Sequence, residues 1–178
     1  MARSLDSDIE QPRRHSLPLI GANAESAPVP PSSALAAEVY ALYEQLDEEV
    51  RAAGPRCEAS GRCCRFKEYG HTLFLSNLEA RVLLDGAPHY DSQSVSADFC
   101  PFQQGNLCTA REPRPLGCRV YFCDPNYQET GNALSERYLR RLKELADRHG
   151  LPWLYAPLHR FLADPRLAEW PDASQNES

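Results

Sequence analysis

Long apolar runs are missing from this chain. None approaches the roughly 18 residues that a membrane-spanning helix needs, so no membrane association is expected. Residues 1–24 also lack the layout of a secretory signal. Asp6, Asp8 and Glu10 interrupt them, and their one apolar run is the short LPLI at 17–20. Positive charge is in short supply: 19 Lys and Arg stand against 25 Asp and Glu, for a net charge of −6 and a pI near 5.4. Phosphate binding runs on Lys and Arg, so no nucleic-acid partner is expected. These absences together predict a cytoplasmic location, where thiols stay reduced.

Several catalytic signatures are absent too. The sequence has no Gly-rich phosphate loop, no G-x-S-x-G and no H-E-x-x-H. It has no C-x2-C, which excludes the ordinary zinc-ribbon knuckle and the thioredoxin-type redox pair. The C-x2-C-x2-C run of bacterial ferredoxins is likewise missing. No internal repeat is found.

What the chain does have is cysteine. Cys57, Cys63, Cys64, Cys100, Cys108, Cys118 and Cys123 all fall within 67 consecutive residues. Their spacings are C-x5-C-C, then C-x7-C, C-x9-C and C-x4-C. An odd number leaves one thiol outside any closed disulfide framework, and a reducing compartment disfavours disulfides altogether. Thiolates are soft ligands suited to zinc, Cu(I) and iron–sulfur clusters. All seven are therefore candidate metal ligands, although Cys64 or Cys123 could instead be a small buried hydrophobe. Neighbouring residues tend to point apart, so Cys63 and Cys64 are expected to serve different metals, or different irons of one cluster. Seven thiolates could supply one four-thiolate and one three-thiolate site, with His71, His89, water or a substrate in the open place. Arg114 and Arg119, with Arg62 and Arg111, are candidates to donate hydrogen bonds to the sulfurs and balance their charge. Asp91 and Asp98 flank the cluster in sequence.

The rest of the chain reads as helices around this segment. Residues 1–33, with five prolines and six serines, read as a disordered leader. Leu35, Val39, Leu42, Tyr43, Leu46 and Val50 mark a helical face, capped by Ser32 or Ser33 and ended by Gly54-Pro55. Residues 71–75 suit a short extended piece. Ser76 and Glu79 match a capping box for a helix from Asn77 to about Leu84. Residues 86–99 read as a loop. Residues 100–123 hold three prolines and two glycines, and they need an external staple. Leu134, Tyr138, Leu142 and Leu145 predict a helix from a cap at Asn132 to Gly150, with a charged outer face of i,i+4 pairs or an acidic-partner surface. Residues 151–162 are apolar enough to pack on the core, and 164–178 read as a flexible acidic tail. The expected fold is mainly α: a small, irregular, metal-stapled domain over 34–163, its loop-rich cysteine cluster flanked by helices.

Cys57-x-x-Ser60-Gly61-x-Cys63-Cys64, Cys100-Pro101-Phe102, Cys108, Arg114-Pro115 and Cys118-Arg119-x-x-x-Cys123 together resemble the YkgJ-type cysteine-cluster family. That family is described as a zinc- or iron-chelating domain with a CxxCxxCC motif. The resemblance covers residues 57–123 and departs at two places. Ser60 stands where the family has its second cysteine, and Arg111 where a tyrosine is common. The resemblance implies a cysteine-ligated metal-binding protein carrying zinc or an iron–sulfur cluster. The alternative is a metalloenzyme or redox protein using an open metal position. A protein lysine methylase-like activity ranks lower, because the methylases that share the cysteine region are longer and no methyl-donor domain is visible here.

Overall fold

The computed structural model describes residues 33–170. The predicted leader, except for Ser33, and the end of the predicted tail lie outside them. Four helices build the first core: α1 (Ala34–Ala53), α3 (Asn77–Gly86), α4 (Leu116–Val120) and α5 (Gln128–Arg148). Short α2 (Phe66–Tyr69) and α6 (Leu158–Ala163) belong to a second apolar cluster. Two minimal antiparallel ladders complete the frame. One pairs β1 (Phe74–Ser76) with β4 (Tyr155–Pro157); the other pairs β2 (Gln103–Gln104) with β3 (Leu107–Cys108). The mainly α expectation holds. Among the described residues no helix is long and apolar enough to cross a membrane.

Helix α1 forms where its apolar spacing places it. The Ser33 side chain accepts a hydrogen bond from the Ala36 N–H at 3.1 Å, and Gly54 ends the helix at φ 63°, a left-handed value that glycine adopts without cost. Val39, Tyr43, Leu46 and Val50 face inward against Leu142 and Leu145 of α5. Leu42 is only partly buried. Each fully buried aliphatic side chain contributes about 1.5–3 kcal/mol of transfer free energy.

The charged face of α5 is arranged only in part as predicted. Lys143 and Asp147 keep the i,i+4 spacing at 3.2 Å. The other contacts reach across to α1: Arg137 to Glu49, Arg141 to Gln45 at 2.7 Å, and Arg148 and His149 to Glu38 at 3.0 and 2.8 Å. The helix also starts earlier than Asn132. Asp124 caps a 3-10 turn at Pro125–Tyr127 by accepting from the Asn126 N–H, and this turn runs straight into α5. Asn132 is then an exposed residue inside the helix.

The capping box is present as expected. Ser76 accepts from the Glu79 N–H, and Glu79 Oε2 accepts from the Ser76 N–H at 2.8 Å. Loop 87–99 contains a 3-10 turn at Ser92–Ser94, capped by Asp91. Residues 151–162 pack on the core, with Ala156, Leu158, Phe161 and Leu162 buried. The chain then folds a further 3-10 turn at Pro165–Ala168, whose Ala168 is buried among the residues of the second cluster.

Candidate metal centre

The first two cluster thiols come from one turn. Gly61, at φ 71°, opens a 3-10 turn over Arg62–Cys64, and the Gln103 side chain closes on it by donating to the Gly61 carbonyl at 3.3 Å. The left-handed φ favours glycine at position 61, and a Cβ there would displace the Gln103 amide and press on the Asn106 backbone. The tight turn brings Cys63 Sγ and Cys64 Sγ to 3.8 Å. This corrects the expectation that adjacent cysteines point apart: the two sulfurs touch across the turn.

Three further thiols join this pair. The Cys100 N–H donates to the Cys64 carbonyl at 2.8 Å, which sets the two thiols near one another. Cys108 arrives on β3, which pairs with Gln103 of β2. Cys118 arrives on α4, beginning just after Pro115. Burial and mutual proximity raise the pKa of Cys63, Cys64, Cys108 and Cys118. The hydrogen bond with Cys100, reinforced by burial, pushes Cys64 up to about 12. Cys63 is raised by its bond to Cys64 and by burial. Burial raises Cys108 and Cys118, and the neighbouring thiols add to both. Arg114 opposes the rise at Cys63, Cys108 and Cys118, and burial lowers its own guanidinium pKa. Its Nε is buried and has no hydrogen-bond partner.

The remaining two cysteines lie on the loops that follow α1 and α4. Cys57 is exposed on the loop after α1. Cys123 Sγ lies 3.7 Å from Ser60 Oγ. The neighbours of these cysteines join the two loops, since the Arg56 N–H donates to Asp124 at 3.2 Å. Ala59, between Cys57 and Ser60, is held at φ 47°, a left-handed conformation that costs an alanine about 1–2 kcal/mol.

Arg119 corrects the sequence reading. It was expected beside sulfur, yet it is 4% exposed and engaged elsewhere. Its guanidinium donates to Asp47 at 2.5 Å, to the Arg114 carbonyl at 2.9 Å and to the Glu112 carbonyl, while lying 4.1 Å from the Tyr43 ring centroid. Those acceptors occupy its donors, and the residue locks the 112–119 loop to α1. His71 stands near the cluster: Nε2 is 3.5 Å from the Cys63 carbonyl oxygen, and Nδ1 is buried without a partner. His89 is exposed on the loop after α3. Asp98 pairs with Lys67 at 3.1 Å. Arg62 pairs with Glu58 at 3.8 Å, and Arg111 is exposed.

Sequence reasoning missed Glu79 as a shaper of this region. Its buried carboxylate accepts from the Leu116 N–H at 2.8 Å, at the first residue of α4. The signal lay in the capping box, but its second use is tertiary. Among the described residues, no three His, Cys, Asp or Glu side chains form a group able to hold a metal ion. The donor chemistry still fits a soft cation. A tetrahedron with metal–sulfur bonds of about 2.3 Å has sulfur–sulfur edges of about 3.8 Å, the separation of Cys63 and Cys64. Buried thiols that raise one another's pKa lack the counter-charge that a bound cation supplies. No family model, no curated protein and no solved structure matches the chain.

Proposed function

We propose that this chain is a cysteine-ligated metal-binding protein of a reducing, cytoplasmic environment, carrying zinc or an iron–sulfur cluster. Cys63, Cys64, Cys100, Cys108 and Cys118 are the ligand set from which the principal site is drawn. One observation supports the reading: five thiols from four separate segments lie within electrostatic reach of one another, and Arg114 is the cation that acts on three of them. A cluster that merely filled core volume would not need so many ionisable groups to meet there, because aliphatic side chains pack at lower desolvation cost.

The metal, when bound, supplies the positive charge that lets these thiols ionise. The chain's own residues do the rest. The Gly61 turn sets the Cys63–Cys64 spacing, and β2–β3 presents Cys108. Glu79 and Arg119 fix the two ends of the loop that presents Cys118. Arg114 faces the thiolates as their hydrogen-bond donor and counter-charge. Cys57 and Cys123, with Ser60 where a third thiol would complete the set, form a weaker and open second site.

The redox or metalloenzyme alternative is favoured by one feature, a cavity bordered by Cys63 and Cys118. The test is metal content of Cys63→Ser and Cys118→Ser after anaerobic purification. Loss of metal in both supports the reading. Retention of metal and fold in both refutes it. Bleaching on reduction identifies iron–sulfur, since zinc has no accessible redox state.

A further inference from the structure

A cavity of about 430 Å³ opens beside the thiol cluster, between the strand pair β1–β4 and the start of α4. Its volume lies within the roughly 300–1,000 Å³ of small-molecule sites. Two sets of aromatic rings bound it. On one side His71 and Tyr121 stack, with ring centroids 5.2 Å apart and planes 21° apart. On the other, Phe74 stacks on Tyr155 at 5.7 Å and 26°, and Trp153 lies nearly parallel behind Tyr155, at 6.4 Å and 6°. Phe74 and Tyr155 remain 43% and 44% exposed. Aromatic surface left this open, with its faces already aligned, is a ready platform for another flat ring.

The chemistry of the walls narrows the occupant. None of the lining residues is Lys, Arg, Asp or Glu. A charged ligand would lose its hydration here and gain no partner, which makes an uncharged ligand the fitting one. A polar handle is available. His71 Nδ1 is buried without a hydrogen bond, and the only contact of Nε2 is long, 3.5 Å to the Cys63 carbonyl. The ring is therefore held by stacking on Tyr121 and by the edge of Phe66, 5.4 Å away. A pivot of that ring, resisted by no strong hydrogen bond, turns the unpartnered nitrogen to a ligand atom.

We propose that this cavity is a binding site for a flat, uncharged aromatic small molecule bearing one hydrogen-bonding edge, seated between the His71–Tyr121 and Phe74–Tyr155 rings. Its aromatic walls come from His71, Phe74, Tyr121 and Tyr155, but Cys63 and Cys118 of the proposed metal site also line it, so metal per chain is followed together with binding.

The test uses the full chain and 2-quinolinone, a fused, neutral two-ring lactam, as the probe. Binding is followed by saturation-transfer NMR and calorimetry, with metal per chain measured on the same samples. Wild type binds with a Kd on the order of 0.1–1 mM, as expected for a ligand of this size. Thr72→Trp puts an indole across the rim from an exposed residue outside the cluster; it weakens binding at least tenfold and leaves metal content unchanged. His71→Phe keeps the stack, removes the nitrogen and weakens binding about five- to tenfold, the worth of one hydrogen bond. Absence of saturable binding to wild type overturns the proposal, as does undiminished binding by T72W. Undiminished binding by a folded H71F removes His71 from it. Should H71F fail to fold, T72W alone decides. Metal content that is zero throughout, with binding intact, sinks the metal reading and leaves this one standing.

Discussion

The Glu79 carboxylate accepts a hydrogen bond from the Leu116 backbone N–H at 2.8 Å, across 37 residues of chain. One oxygen completes the cap of α3, and the other caps the start of α4, two residues before Cys118. A local helix signal thus doubles as the strut of the cysteine loop.

Removing that strut is expected to be costly. Glu79→Ala leaves the Ser76 N–H and hydroxyl and the Leu116 N–H without their acceptor. The loss should be about 3 kcal/mol by urea denaturation. Glu79→Gln retains the shape and one acceptor oxygen and should lose about 1 kcal/mol at low pH. Burial raises the Glu79 pKa above its ordinary 4.5, against the pull of its hydrogen bonds. A raised folded-state pKa means that this group's contribution is fully present below its unfolded value and is lost as pH rises through the folded value. The advantage of wild type over E79Q should therefore shrink as pH climbs above about 4.5, whereas an advantage that grew would contradict the assignment.

Arg119 and Arg114 are expected to separate stability from metal affinity. Arg119→Met strands Asp47 and two loop carbonyls and should destabilise the fold by about 3 kcal/mol, somewhat less than a fully buried pair because Asp47 is 33% exposed. Arg114→Met should instead weaken metal retention about tenfold against a competing chelator, with a smaller change in folding. Equal effects of both on metal, at equal folded fraction, would return Arg119 to the thiols.

The Ser60–Cys123 contact of 3.7 Å sets a gain-of-function test. Ser60→Cys places a third thiol beside Cys123 and should let the chain retain one further metal equivalent through dialysis against a weak chelator. No gain would mean that Cys57 does not join them. Ala59→Gly relieves the left-handed alanine of the same loop and should raise stability by about 1 kcal/mol.

Much of the frame was legible because its causes are local. Ser33, Gly54 and the Ser76–Glu79 box act within one helical turn, and each sits where the sequence places it. The start of α5 was not, because the Asp124–Pro125 turn feeds the helix from outside its apolar pattern. The cysteines announced themselves by type and spacing. Which of them approach one another could not be read, since it depends on the Gly61 turn and on ladder pairing between β2 and β3. Arg119 misled for the same reason: beside Cys118 in sequence, it is claimed by Asp47, 72 residues away. Arg137, Arg141 and Arg148 of α5 found partners on α1, while Lys143 pairs with Asp147 along its own helix as the spacing suggested.

The most direct test of the central claim is the amount of zinc, iron and acid-labile sulfide per chain, measured on protein purified without oxygen, for wild type and for the Cys63→Ser/Cys118→Ser double variant. The account predicts zinc, or iron with matching sulfide, at one or more equivalents in wild type, falling by at least one in the variant. Wild-type protein that is folded and monodisperse yet holds neither metal would contradict it.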